Sequence, residues 1–492
     1  MNSIQKITLK HYSSKQYKHF DTPLSKNKIS KELHHFSSPT YVKSYRHLPF
    51  ITFNKTFIKY TKYSHGEILP KNQRITKKTR TISLASHHDS LLLKYYSIIL
   101  NKKYEKYLET QNKQLKDSVI AYRSGKSNIS GAKSVFDCIW KSESCWIIKG
   151  DFKGFFDNLN HKYIFNSVKK ILTASTNEKL SEDWHSILKF ITKYRTISQK
   201  NIQKKLVPNK YKYVKNRKEL SFLIRSKKLR LSPTNTKGIP QGTALSAILA
   251  NVYMADFDNW ILNSLSDGGI YRRYSDDFVL ILPNSTREDV EKLKKEIMLM
   301  SRETLNLDIE SSKTKLLYFS KKDKKIFQSN LEKQQNFDYL GFEFTGEKVL
   351  LRSKSLYKFK TRGKHSMYVL RRDIRERNLV KKCNKQQKIY YLKSYKNNRL
   401  RRLAKKRLDN FAKEQQNGIN LQSRKKITHL YLTSNSKSCT KNMLGYAIRA
   451  QKQLSVPIPG VQTLYEVVVE KPIRKQIATF GLDYHYIKQE LQ

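Results

Sequence analysis

Two aspartates stand side by side at Asp276–Asp277, at the end of the sequence Tyr274-Ser275-Asp276-Asp277, with strand-like runs on both flanks, Gly269–Arg273 and Phe278–Leu282. Adjacent carboxylates at a hairpin tip repel one another and cost stability, so a fold that keeps them there has to bring positive charge to that tip. A pair of divalent cations meets the need. Hard Mg²⁺ takes carboxylate oxygen and keeps positions open for phosphate oxygens. Another acid, Asp151, closes the apolar strand of Cys145–Ile148. Side by side, the two elements would gather three carboxylates on one point, an arrangement that suits two ions roughly 4 Å apart. An isolated Asp-Asp is most often an ordinary turn. The apolar flanks and the motifs below set this one apart.

The rest of the chain reads as α+β, with helices packed on a sheet. Arg80–Ala85 is strand-like, and Leu91, Leu92, Tyr95, Ile98 and Ile99 follow at helical spacing. Gly238–Gly242 is a tight loop whose glycines let backbone approach a base or template closely. Ala244–Leu262 reads as one helix, Ile270–Leu282 as a hairpin, Glu288–Thr304 as an amphipathic helix, Lys315–Phe319 as a strand and Asn336–Phe344 as a strand or hairpin. Residues 1–70 form a polar arm. After about residue 350 strand signals vanish, and Leu351–Asn410 is about one-third Lys and Arg with helical spacing throughout. Three regions are therefore expected: the arm (1–70), a mixed domain (71–345) and a basic helical region (346–492).

Charge narrows the partners. Lys and Arg number 98 against 40 Asp and Glu, a formal net of +58. Such a chain repels itself unless a polyanion neutralises it, and nucleic acid is the first candidate. The four cysteines, Cys138, Cys145, Cys383 and Cys439, form no CxxC pair, which leaves a zinc ribbon unsupported. Sparse cysteines, no signal-peptide pattern and no window of about 20 apolar residues place the expected protein in the cytoplasm, away from membranes.

These motifs resemble those of the reverse transcriptase family. Ile147-Ile148-Lys149-Gly150-Asp151-Phe152-Lys153-Gly154-Phe155-Phe156-Asp157 resembles its first palm motif, and Gly238-Ile239-Pro240-Gln241-Gly242 through Asn251 its second. Tyr274-Ser275-Asp276-Asp277 is similar to the signature tetrad. Leu305-Asn306-Leu307 with Ser312-Lys313-Thr314-Lys315 resembles the fourth motif, and Phe337-Asp338-Tyr339-Leu340-Gly341-Phe342 the primer-grip hairpin. Upstream, Arg80-Thr81-Ile82 and Tyr122-Arg123-Ser124-Gly125-Lys126-Ser127 are similar to the fingers motifs. The resemblance runs from about residue 75 to 345 in the family's order. It implies a right-hand polymerase fold with a helical thumb beyond the palm, and RNA-directed DNA polymerase activity with two Mg²⁺, or Mn²⁺ in their place. Asp151, Asp276 and Asp277 would be catalytic, and Asp151, Phe152, Asp276 and Asp277 would hold the metals. Lys78 and Arg80 would hold the triphosphate, Phe156 would exclude a ribose 2′-hydroxyl, Gln241 would meet the base or template, and Lys313 would protonate pyrophosphate. RNA, the DNA product and deoxynucleoside triphosphates are the implied partners.

Within the family three readings compete. Group II intron enzymes, with a maturase role, often carry a Cys/His endonuclease, and His429 and His485 form no such cluster here. Retron enzymes carry a Val-Thr-Gly triplet that Phe344-Thr345-Gly346 matches only in part. Defence-associated bacterial enzymes share a long helical C-terminal extension, and Asn442–Ala450 resembles a helix of that group. A non-catalytic RNA-binding protein on a polymerase scaffold is the rival from another class, against which the three intact acids stand.

Overall fold

The structure is a computed structural model. It describes residues 1–60, 63–64, 67–68, 70–111, 113–173, 178–207, 211–416, 426–434 and 441–490. The fold is α+β, as the mixed order of strands and helices predicts. It divides into two compact units, one of residues 1–127 with 146–316, the other of 128–145 with 317–492.

In the first unit, strand Ser144–Asp151 neighbours Asp277–Pro283, which pairs antiparallel with Ile270–Tyr274. Tyr274 is opposite Asp277, so the turn is Ser275–Asp276 alone. Two-residue hairpin turns require left-handed backbone at their first position, which glycine adopts most cheaply. Here Ser275 adopts it, at φ 64°. Cys145 to Ile148 and Phe278 to Leu282 are buried. Both faces of these strands are covered, which is why their sequences run apolar instead of alternating. Gly150 belongs to the same packing, since a Cβ there would lie 2.2 Å from the Phe278 ring.

Helices His87–Gln111, His161–Leu172 and Ala244–Tyr253 pack on one another. The stretch expected as one helix over Ala244–Leu262 is two, Ala244–Tyr253 and Ala255–Asn263. The Met254 N–H bonds the Asn251 carbonyl at 3.2 Å, three residues back, and this tighter turn closes the first helix. The polar arm also folds. Helices Ser3–His11, Lys26–Phe36 and Pro39–Ser44 are capped by the side chains of Asn2, Ser25 and Ser38, and they bury Ile29, Leu33, Phe36 and Val42. Asp21 then accepts the backbone N–H groups of His87 and His88, each at 3.0 Å, at the start of the long helix.

A second sheet of this unit holds Phe50–Tyr60 between antiparallel Ile75–Leu84 and parallel Thr196–Ser198. Its base, at Phe50 and Ile51, is buried. Further out, Lys55 is opposite Arg80 and Phe57 opposite Lys78.

The second unit has its own sheet, ordered Phe337–Tyr339, Phe342–Phe344, Lys348–Leu351 and Glu466–Val468. The last of these corrects the expectation that strands end near residue 350. Glu466–Val468 pairs parallel with Lys348–Leu351, and three residues are too few to show a strand period. The helices Ser353–Lys382, Lys385–Lys393, Asn398–Gln416, Met443–Leu454 and Glu470–Glu490 make up most of the remainder. Gly363 marks a close helix approach, because a Cβ there would meet the Phe480 ring at 2.0 Å. Among the described residues no helix is long and apolar enough to cross a membrane. Cys439 lies outside the described residues.

Candidate active site

Asp151 ends its strand, and Asp276 sits in the neighbouring hairpin turn. The Phe152 N–H donates to the Asp276 carbonyl at 3.1 Å, which locks the two segments together next to the acids. Burial first, and then the charge of Asp151, pushes the Asp276 carboxyl above the usual carboxylate range, against the pull of Arg80 and Lys313. Two oxyanions facing one another across a partly buried space are a natural seat for a hard divalent cation.

Lysines compensate part of this charge. Burial alone would lower the pKa of the Lys313 ammonium, but its bond to Asp151 and the charges of Asp151, Glu310 and Asp276 together outweigh it and raise the pKa. Lys149 Nζ lies 3.8 Å from Asp277 Oδ2. The three acids are therefore not gathered equally. Asp151 and Asp276 line one cleft of about 480 Å³, whereas Asp277 is outside its lining. Among the described residues no three His, Cys, Asp or Glu side chains form a ready metal cluster. Phe152 has no side-chain oxygen, and its ring packs with Phe155, Phe257 and Phe278, so its backbone carbonyl is the one atom it could offer a metal. The donor set fits Mg²⁺ in chemistry: carboxylate and carbonyl oxygens, with no sulfur or imidazole among them.

The remaining expected residues line the same cleft. Lys78 and Arg80 come from the outer part of strand Ile75–Leu84. Phe155 is buried, while its neighbour Phe156 is only partly buried and lines the cleft. Gln241 also lines it and donates from Nε2 to Asp157 Oδ1 at 3.0 Å. The glycines of this loop also meet a requirement of the fold itself. Gly238, at φ 78°, would put a Cβ 2.6 Å from the Asp157 carbonyl oxygen, and Gly242, at φ 126°, one 2.9 Å from that of Ser83. Their close approach is to the chain's own backbone, and it sets the loop against both the Phe156 turn and the Lys78–Arg80 strand. The Ile239 N–H donates to the Phe156 carbonyl at 2.8 Å, and the Ser83 N–H to the Gln241 carbonyl at 2.9 Å.

Sequence reasoning gave no role at the site to four residues, two of them, Lys149 and Tyr122, inside its motifs. Lys149 shares a strand face with Asp151, two residues on, and that alternation was the available signal. Phe57 holds cations over its ring, Lys55 Nζ at 5.4 Å and Arg80 Cζ at 5.8 Å, which only strand register could reveal. Tyr122 enters the cleft, its hydroxyl donating to Ser275 Oγ at 3.1 Å. Arg273, fully buried behind the turn, had no signal in a chain this rich in arginine and lysine.

A family model described as "Reverse transcriptase (RNA-dependent DNA polymerase)" matches residues 69–344. "Protein YkfC" of Escherichia coli is 22% identical over 202 residues, covering 35% of this chain and 43% of that protein. An "Uncharacterized 91 kDa protein in cob intron" of Schizosaccharomyces pombe is 26% identical over 189 residues, covering 38% of this chain and 18% of that protein. The chain thus spans less than half the length of these curated relatives. Among solved structures, apo telomerase from Candida tropicalis overlaps 59% of this chain and 49% of its own at 13% identity and a TM-score of 0.38. Telomerase from Candida albicans in complex with a TWJ fragment of telomeric RNA overlaps 66% and 50% at 15% identity and a TM-score of 0.36.

Proposed function

The chain belongs to the reverse transcriptase family, whose model spans more than half of it, and on that premise we propose that it is an RNA-directed DNA polymerase. The observation that carries the reading is the cleft itself. It joins two neighbouring carboxylates, Asp151 and Asp276, to the cations Lys78, Arg80 and Lys313 and to the aromatic wall of Phe156. Asp151, Asp276 and Asp277, with the Phe152 carbonyl, would hold two Mg²⁺, which supply the charge that turns a 3′-hydroxyl into a nucleophile and steadies the pyrophosphate. The protein's own groups do the rest. Arg80 and Lys78 bind the triphosphate as point charges and hydrogen-bond donors. Lys313, an ammonium kept protonated by Asp151, is placed to give a proton to the leaving pyrophosphate. Phe156 meets the sugar where a 2′-hydroxyl would project.

The proposed partners are an RNA template or associated RNA, the DNA product and deoxynucleoside triphosphates. The basic helices after residue 350 would carry much of the RNA affinity. We further propose a role in bacterial antiviral defence. Its support is the resemblance of Asn442–Ala450, which folds as helix Met443–Leu454 with Asn442 as its cap.

Primer extension on RNA and DNA templates, with and without co-purified nucleic acid, tests the polymerase reading. Asp276→Asn and Asp277→Asn are expected to abolish incorporation in protein that remains folded. Extension by either variant near the wild-type rate would remove the assigned site. Plaque assays with the wild-type protein and the same variants test the defence role, which fails if the wild-type protein gives no protection against phage; protection that survives loss of polymerisation would separate defence from catalysis.

A further inference from the structure

The turn that carries Asp276 is held from behind. Arg273 and Asp258 are both fully buried. The guanidinium donates from Nε to Asp258 Oδ1 and from Nη2 to Oδ2, each at 2.7 Å. Its remaining nitrogen, Nη1, donates to the Ser275 carbonyl at 3.0 Å and to Asn251 Oδ1 at 3.3 Å. Asn251, also buried, donates from Nδ2 to the Ala121 carbonyl at 2.9 Å. Ala121 precedes Tyr122, whose hydroxyl returns to Ser275 Oγ at 3.1 Å. The loop is closed by the backbone, with the Ile120 N–H donating to the Arg273 carbonyl at 2.9 Å.

Two residues in this ring are strained. Ser275 has φ 64° and Tyr122 φ 63°. Left-handed backbone is unfavourable for a residue with a Cβ, and it persists where the surroundings over-determine it. Here the two strained residues are bonded to each other and to one polar network. A buried ion pair is a poor way to gain stability, since apolar side chains of similar volume often do as well. What an apolar pair cannot do is fix a carbonyl one residue before a metal-binding acid.

We propose that Arg273 is a positioning residue: through the Ser275 carbonyl, and together with Tyr122 at Ser275 Oγ, it sets the backbone of the Ser275–Asp276 turn so that Asp276 faces Asp151 at the spacing a divalent ion requires. The inference rests on reading Asp151 and Asp276 as metal ligands. Lysine at position 273 would keep the charge but lose the planar fork, and so could not bond both Asp258 oxygens and the Ser275 carbonyl together. Tyr122→Phe removes one hydroxyl from a half-exposed ring and spares the fold.

The test is a Mn²⁺ titration of the full chain, followed by electron paramagnetic resonance, without nucleic acid. Arg273→Lys is expected to weaken Mn²⁺ binding by about tenfold, the scale at which groups that orient metal ligands act. Tyr122→Phe should move it in the same direction by a smaller factor. In primer extension, the Mg²⁺ needed for half-maximal rate should rise in step, excess Mg²⁺ should restore the rate, and the KM for deoxynucleotide at saturating Mg²⁺ should stay put. Wild-type Mn²⁺ affinity in an Arg273→Lys protein that melts normally would overturn the inference. Should that variant fail to fold, unchanged affinity in Tyr122→Phe would do so. A wild-type titration in Asp276→Asn would instead remove the metal-site reading itself, and the inference with it.

Discussion

Asp276 occupies a position where its own charge is unfavourable, and that has a measurable sign. Burial and the neighbouring Asp151 raise its pKa in the folded protein. Folding therefore favours the protonated acid. The stability this brings is present at low pH and is lost as pH rises through the folded-state pKa. Asp276→Asn should consequently melt above wild type at neutral pH in metal-free buffer. The gap should narrow as pH falls toward the ordinary value of 3.8. Scanning calorimetry across that range checks it, and a variant melting at or below wild type throughout would mean that the carboxylate is better compensated than its surroundings indicate. Phe156 makes a different residue-scale prediction. It is the member of the Phe155–Phe156 pair that lines the cleft, so truncation changes the pocket more than the core. Phe156→Ala should reduce discrimination against ribonucleotides by about tenfold or more, the scale one apolar contact commands. Competition between dGTP and GTP reads this directly, and unchanged selectivity would place the gate elsewhere.

Among the elements, the helices of the second unit are joined by one buried acid. Glu376, on Ser353–Lys382, is fully buried and accepts Arg407 Nε at 2.7 Å and Nη2 at 2.6 Å from Asn398–Gln416. It also accepts the Tyr391 hydroxyl at 2.9 Å from Lys385–Lys393. Glu376→Ala leaves the Arg407 guanidinium and the Tyr391 hydroxyl without their shared acceptor, with the guanidinium partly open to water, and should cost about 1–3 kcal/mol. Urea unfolding measures it, and a loss under 1 kcal/mol would class the pair with weak surface bridges. Nothing in the sequence singles out Glu376, one acid within a long basic stretch. The hairpin of Asp276 was legible because buried strands leave unbroken apolar runs beside a polar turn. Glu466–Val468 was not, because its strand character comes wholly from its parallel partner. The break at Met254 was hidden for a similar reason, since apolar spacing continues across it. At the site, motif order located the cleft-lining residues one by one, down to Lys313. It was silent on Lys149, Phe57 and Arg273, whose parts depend on which strands and turns become neighbours. The glycines of Gly238–Gly242 were visible as a tight loop, but what they approach could be read only from the folded backbone.

At the scale of the whole molecule the dominant fact is a net charge of +58. Helices Ser353–Lys382 and Asn398–Gln416 carry much of it on exposed positions, among them Lys364, Arg402, Lys405 and Lys406. Not every cation there is available. Arg372 pairs with Asp373, and Arg401 donates to the Leu392 and Tyr395 carbonyls at 3.2 and 3.1 Å, closing the end of a neighbouring helix. Reversing those two would disturb the fold and confuse the reading, whereas Lys364, Arg402, Lys405 and Lys406 can be changed to Glu on open surface. Each phosphate neutralised by a cation releases counterions, so log affinity falls against log salt with a slope of roughly 0.7 per contact on single strands and 0.9 on duplex. If these helices grip RNA, the quadruple variant should bind more weakly at low salt, and its slope should be shallower by about 2 to 4. The catalytic cleft cannot mimic this effect, because its cations, Lys78, Arg80 and Lys313, are unchanged in the variant. Filter binding of a structured RNA between 50 and 400 mM salt, roughly the range over which such slopes are read, separates the cases. Unchanged affinity and slope would show that the charge of these helices is spent on solvent or on a protein partner, and RNA would then have to be held elsewhere on the chain.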